Sequence, residues 1–235
     1  MNIQTITNIE LSSLCNNKCV YCPSPMLREK RRTGVGYMSM ATYPQAINWV
    51  RKLALAGTQR ELNLFGVGEP TLNPDVVRMV QIARDVLPMR IPIHLNTNGN
   101  TMTMELAEAL KAAGITSIDV TDHEPKATAE TIRIFKRLDI RYRVSRDAVL
   151  QPNNWAGQVD WFEPDYRYPC PWLERGQVMI MSDGSVTTCC LDAYGNGIVG
   201  TVNDDLTQVE LRPFTLCKTC HHTINGVEAE MLKNG

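Results

Sequence analysis

From Ile3 to Val144 the chain alternates short apolar runs of strand character with longer amphipathic stretches, and this alternation most limits how it can fold. Strand-like runs cover 3–14, 61–65, 91–95, 115–121 and 140–144. Within 41–56, Ile47, Val50 and Leu53 recur at helical spacing, and helices are expected also over 75–87, 103–113 and 126–138. Gly57 and Gly114 close two of these, and Asn73-Pro74 opens another. Repeated strand–helix units imply parallel strands joined by right-handed crossovers. The expected class is α/β: a partial, truncated parallel (β/α) barrel or an open α/β sheet, followed by a small C-terminal β-hairpin-plus-helix unit. Loops that carry function then belong at the carboxyl ends of the strands.

The loops at that rim are polar or glycine-rich. Gly66-Val67-Gly68-Glu69-Pro70 follows the second strand, Asn96-Thr97-Asn98-Gly99 the third, and Asp119 to Glu124 (DVTDHE) end the fourth. The glycine stretch is too short for a dinucleotide fingerprint and lacks the lysine of a phosphate loop. It reads either as a sharp turn or as backbone that approaches a ligand closely, with Glu69 able to accept a hydrogen bond from an ammonium. Asn96 to Gly99 is most simply a turn with a helix cap. Asp119, Thr121, His123 and Glu124 are candidates by position, against the plain alternative that His123 is a surface histidine.

After the first strand come Cys15, Cys19 and Cys22, spaced C-x3-C-x2-C with Tyr21 between the last two. Thiolates in so tight a loop can converge on one metal centre, and the spacing favours a redox cluster over zinc. Iron–sulfur clusters usually take four cysteines, so three leave one iron open for chemistry.

The chain has 235 residues and eight cysteines: three at 15–22, none from 23 to 169, and five from 170 to 220. Disulfide scaffolds spread their cysteines through short secreted chains, and the opening MNIQTITNIE lacks the pattern of a secretory signal. Two clumps of cysteines suggest two metal sites. A hydrophobic content of 43% with 21% charged residues suits a chain that buries a full core. No apolar run approaches the roughly 20 residues that cross a bilayer. A net charge of −1 argues against general attraction to nucleic-acid phosphate. The basic run Arg28 to Arg32 (REKRR) reads as solvated loop surface, or as a contact for an anionic part of a substrate.

Beyond Val144 the pattern changes. Residues 146–169 hold Trp155, Trp161, Phe162, Tyr166 and Tyr168 and read as a linker or pocket wall. Gln177 to Met181 and Ser185 to Cys190 form a hairpin across Ser182-Asp183-Gly184. Cys217-x2-Cys220, a hairpin cysteine and the upstream Cys170 complete a four-thiolate set, for which zinc competes with a cluster. His221 and His222 read as caps or surface residues.

The C-x3-C-x-aromatic-C motif after a first strand resembles the radical S-adenosylmethionine (radical SAM) superfamily. The resemblance implies a [4Fe–4S] cluster on Cys15, Cys19 and Cys22, with SAM on the open iron and Tyr21 beside the adenine. Gly66-x-Gly68-Glu69-Pro70 is similar to the family's Gly-Gly-Glu-Pro stretch, with Val67 in place of its first glycine. That carries Gly68 and Glu69 over as contacts to the SAM amino group. Asn96-Thr97 resemble the segment near the SAM ribose and carboxylate. Asp119 and Thr121 are further candidates for ribose or substrate contacts. The C-terminal cysteines resemble a twitch domain, the short form of the SPASM domain, in which Cys170, Cys189, Cys217 and Cys220 would hold an auxiliary [4Fe–4S] cluster. Cys190 is left over. The resemblance covers about 1–145 as radical SAM core and about 165–225 within the appendage, whose domain is set at 170–235, although the family core usually has six strands and only five are placed.

What the family implies is reductive cleavage of SAM to a 5′-deoxyadenosyl radical that abstracts a substrate hydrogen atom. The auxiliary cluster would then accept an electron, giving two-electron oxidation of a small hydroxylated, amino-sugar or cyclitol substrate. Glu124, Arg146 and His123 are the candidates for the base. The alternatives are modification of a ribosomally made peptide and, in another class, a non-catalytic zinc or iron–sulfur module. A one-electron donor such as flavodoxin or ferredoxin, a cytoplasmic location and a monomer are expected.

Overall fold

The computed structural model describes residues 2–146, 155–159 and 170–220. The first strand, β1 (Thr5–Ile9), is followed by a one-turn helix α1 (Leu27–Lys30) and by α2 (Tyr43–Ala56). Then come β2 (Leu62–Leu64), α3 (Val76–Val86), β3 (Ile93–Thr97), α4 (Met104–Ala112), β4 (Ser117–Thr121), α5 (Pro125–Leu138) and β5 (Tyr142–Ser145). The helices form where periodicity placed them. α2 buries Tyr43, Ala46, Ile47, Val50 and Ala54 on one face and stops at Gly57, whose φ of 84° suits a residue without a Cβ. Thr103 caps α4 by accepting from Leu106 N at 3.2 Å.

Strands β2, β3, β4 and β5 form one sheet, parallel throughout. The second sheet has the order β1-β6-β7-β8, with β6 (Gln177–Ile180), β7 (Ser185–Thr187) and β8 (Ile198–Thr201). β6 runs parallel to β1, and the hairpin after it is antiparallel. The C-terminal hairpin therefore continues the sheet begun by β1. Among the described residues the strands do not close into a barrel.

No ladder joins β1 to β2 among the described residues; side-chain amides span the gap instead. Gln59 is buried, accepts from Ile6 N at 2.9 Å and donates to the Ile6 carbonyl at 2.8 Å. Asn63 Nδ2 donates to Thr7 O at 3.0 Å, and Asn8 Nδ2 to Phe65 O at 3.1 Å. These amides do for two neighbouring strands what backbone pairing does elsewhere.

Several expectations are corrected. The first strand ends at Ile9; Glu10 N makes its last bond, to Ile180 O at 2.9 Å, and Leu11 to Leu14 turn to other partners, Met38 N donating to Leu11 O and Ser13 N to Gly36 O. β3 runs two residues further than expected, so Asn96 and Thr97 lie in the strand, opposite Asp119 and Val120. Strand β8 was not foreseen. The basic run is not all solvated loop: 28–30 are helical, and Arg31 is buried in an ion pair with Glu10. Trp161, Phe162, Tyr166, Tyr168, His221 and His222 lie outside the described residues.

Candidate active site

The carboxyl ends of β1, in one sheet, and of β2 to β4, in the other, meet at one rim, where a cavity of about 230 Å³ opens. Cys15, Cys19, Cys22 and Tyr21 line it from the loop after β1; Gly66, Val67, Gly68 and Glu69 from the loop after β2. Asn96, Thr97 and Asn98 come from the end of β3, Thr121 and His123 from the end of β4, and Trp155 from the far side. Asp119, Glu124 and Arg146 do not line it. Asp119 is bound to Arg143 at 2.5 Å, Arg146 to Asp122 at 2.9 Å, and Glu124 accepts from Asn100 Nδ2 at 3.1 Å at the start of α5.

Glu69 organises the rim. The residue is 2% exposed, and Oε1 accepts from Thr71 N at 3.1 Å, from Thr97 Oγ1 at 2.8 Å and from the Thr71 hydroxyl. Among the described residues Oε2 accepts one bond, from Asn98 N at 2.7 Å. Burial pushes the Glu69 carboxyl up, and the Thr71, Asn98 and Thr97 donors oppose that shift. The loop after β2 is thereby fastened to the end of β3. Gly68 allows that loop to sit against the cysteine loop, since a Cβ there would lie 2.3 Å from the Ser12 carbonyl oxygen and 2.6 Å from that of Leu14. Glu69 N then donates to Leu14 O at 2.8 Å.

The cysteine loop rests on a buried ion pair. Glu10 is wholly buried, and its Oε2 accepts from Arg31 Nη2 at 2.8 Å and from Ser182 N at 3.1 Å, while Oε1 accepts from Val67 N at 3.1 Å. One carboxylate thus ties the end of β1, the loop after β2, the residue after α1 and the turn of the C-terminal hairpin. Nothing in the local sequence marks it, because its partners are 21, 57 and 172 residues away.

Around the thiols, Asn17 N is 3.4 Å from Cys15 Sγ and Asn98 Nδ2 is 3.9 Å away, both directed at the sulfur. Asn98 also donates to Asn16 Oδ1 at 2.7 Å, a link that no sequence motif singled out. Burial raises the Cys15 and Cys22 thiols, and Cys19 beside them adds to both shifts. Tyr21 hydroxyl and Cys19 Sγ share His123 Nδ1, at 2.6 Å and 3.6 Å, with the two rings stacked at 5.9 Å. Trp155 Nε1 donates to the Tyr21 carbonyl at 3.1 Å. No three His, Cys, Asp or Glu side chains among the described residues close on a single ion. Three thiols around one cavity, with N–H groups aimed at sulfur, are the donor set that an iron–sulfur cluster takes.

A second cavity, about 20 Å³, is lined by Cys170, Cys189, Cys217 and Cys220 together with Ala156, Trp172 and Phe214. Cys190 is not in that lining, and it adjoins Cys189, whose thiol it raises. Burial pushes Cys217 up to about 11, with Cys220 and Cys170 contributing as near neighbours. The loop that carries Cys189 is held by buried Asp192, which accepts from Thr187 Oγ1 at 2.7 Å and Gly197 N at 2.8 Å. Four thiols fit a zinc ion or a cluster equally as donors. The space holds about one water-sized body, so the thiols would have to spread to take a cubane.

Among curated proteins, the chain is 29% identical over 119 residues to the S-adenosyl-L-methionine-dependent 2-deoxy-scyllo-inosamine dehydrogenase of Niallia circulans, covering 51% of this chain and 45% of that protein. It is also 29% identical over 112 residues to the AdoMet-dependent heme synthase of Methanosarcina barkeri (strain Fusaro / DSM 804), covering 48% and 29%. The chain thus spans less than half the length of both curated relatives. Among solved structures, BtrN in complex with AdoMet and 2-DOIA superposes with a TM-score of 0.68 at 22% identity, over 86% of this chain and 80% of that one. BtrN in an open conformation gives 0.60 at 20% identity, over 87% and 78%. At these identities the superpositions establish the fold. The profile of the radical SAM superfamily matches residues 9–151, which include the cysteine loop and every rim loop described above. The chain belongs to the radical SAM superfamily.

Proposed function

We propose that the chain is a radical SAM oxidoreductase that dehydrogenates a small hydroxylated substrate of the aminocyclitol or amino-sugar class. The observation that carries the reading is the joining of three cysteines, Glu69 and the end of β3 around one cavity at the carboxyl rim. The named activity of the Niallia relative supports the substrate class. Cys15, Cys19 and Cys22 would hold a [4Fe–4S] cluster, and Cys170, Cys189, Cys217 and Cys220 an auxiliary one of twitch type. With SAM bound, these groups supply abstraction of a hydrogen atom from a carbinol C–H and acceptance of the second electron.

The chain's own part is placement. Glu69 Oε2, which accepts a single bond among the described residues, keeps capacity for the SAM ammonium, and the rest of its carboxylate holds the rim loops rigid. The Tyr21 ring, fixed by His123 and by Trp155 on its carbonyl, gives a flat apolar wall for adenine. Asn96, Thr97 and Thr121 offer polar contacts on the same cavity. Of Glu124, Arg146 and His123, only His123 lines the cavity, which makes it the base of choice for the carbinol proton. A reducing electron must arrive from a cytoplasmic carrier such as flavodoxin or ferredoxin. No helix among the described residues is long and apolar enough to cross a membrane.

The test is anaerobic reconstitution with iron and sulfide, then incubation with SAM, dithionite and a panel of aminocyclitols. 5′-Deoxyadenosine should form, and a ketone product should appear with one of the panel. Deoxyadenosine formation that survives replacement of Cys15, Cys19 and Cys22 by Ala would remove the assignment.

A further inference from the structure

Trp155 and Ala156 are neighbours in the chain, yet Trp155 lines the first cavity and Ala156 the cavity of the four cysteines. Consecutive Cα atoms lie about 3.8 Å apart, so at this point a single peptide unit separates the linings of the two sites. The backbone is strained here. Trp155, Ala156 and Gly157 have φ of 51°, 56° and 84°, three left-handed residues in succession of which two carry a Cβ. Residues held there persist only where their surroundings over-determine them.

The turn is anchored on both sides. On one side Trp155 Nε1 donates to the Tyr21 carbonyl at 3.1 Å, inside the first cysteine loop. On the other, Thr219 Oγ1 donates to the Ala156 carbonyl at 2.7 Å, from between Cys217 and Cys220. Gln158 Nε2 donates to the Leu191 carbonyl at 2.6 Å, close to Cys189. A Cβ on Gly157 would lie 2.8 Å from Thr219 Cβ, so the turn is pressed onto the second site with no slack.

We propose that the Trp155–Gly157 turn couples the two cysteine sites. Order at the four-cysteine site fixes Ala156 through Thr219, and Ala156 sets Trp155 as the wall of the SAM cavity. Filling either site then strengthens the other by the same factor. The residues of the turn are positioning residues, and the inference rests on reading the first cavity as the SAM site.

The experiment is calorimetric titration of S-adenosylhomocysteine into anaerobically iron-loaded protein, with iron per chain measured in every sample. Thr219→Val cuts one anchor without touching a cysteine and should weaken binding roughly three- to tenfold at wild-type iron content, the loss expected from one hydrogen bond. Thr219→Ser should restore it. In the double variant with Trp155→Phe, the Thr219→Val penalty should shrink, because both act through one turn. Gln158→Leu, which cuts the bond to Leu191, replaces Thr219→Val in the same cycle if that variant fails to hold iron. Unchanged affinity in the anchor variant, or penalties that simply add, would overturn the coupling. If the wild-type protein bound no S-adenosylhomocysteine, the assignment of the first cavity would fall, and the coupling with it.

Discussion

Glu10→Ala tests whether the cysteine loop stands on the buried ion pair beneath it. In the native protein the Glu10 and Arg31 side chains are both 0% exposed, and Arg31 Nε and Nη1 have no partner among the described residues. Glu10 Oε2 is thus the acceptor that meets this guanidinium. Removing it leaves a buried charge without a counter-ion, a loss of roughly 3–5 kcal/mol. Val67 N and Ser182 N lose their acceptor in the same step. These losses overlap, so a total of about 4 kcal/mol is the working figure. In a chain of this length each kcal/mol moves Tm by about 2–4 °C, which gives a fall of about 8–16 °C. The assay is thermal unfolding by circular dichroism at matched iron content. Glu10→Leu combined with Arg31→Met removes both charges and should recover most of the loss, because a buried pair can be replaced by apolar groups at little net cost. A Glu10→Ala protein that melts within about 2 °C of wild type would refute the reasoning, since that is under 1 kcal/mol.

Two further outcomes are expected. Gly68→Ala brings a Cβ to 2.3 Å from the Ser12 carbonyl oxygen, which is backbone and cannot turn aside. The loop after β2 must move, Glu69 N loses Leu14 O, and SAM affinity by titration should fall by about tenfold or more, equal to about 1.4 kcal/mol, while wild-type affinity would show that the close approach is irrelevant. Iron analysis of the reconstituted protein should give roughly eight per chain and roughly four in Cys217→Ser or Cys220→Ser, with Cys190→Ser unchanged. Four iron atoms in the wild type would mean that the second site is zinc or empty, and loss in Cys190→Ser would move the ligand by one residue.

The parts of this molecule that were legible in its sequence are those whose cause is local. Helix α2 shows its buried face in the spacing of Ile47, Val50 and Leu53, and the cysteine loop declares itself because its three cysteines fall within eight residues. Strand ends were less legible, since a strand stops where its neighbour stops pairing: Asn96 and Thr97 look like turn residues but pair with β4, and Leu11 looks like strand but pairs with Met38. The illegible residues share another property. Glu10, Gln59, Asn98 and Thr219 each make the bond that matters to a residue more than 20 positions away. Hydrophobic periodicity carries no signal for a polar side chain buried against distant backbone, and Arg31 was hidden in a charged run that normally means solvent. Those same bonds hold the rim loops, the β1–β2 junction and the two cysteine sites in fixed relation. The motif therefore identifies the family, whereas the rigidity of the rim is supplied by residues of ordinary type at unremarked positions. Variants that spare every cysteine but break one of these distant bonds should impair the site as surely as loss of a cysteine, by displacing the loops that carry the thiols.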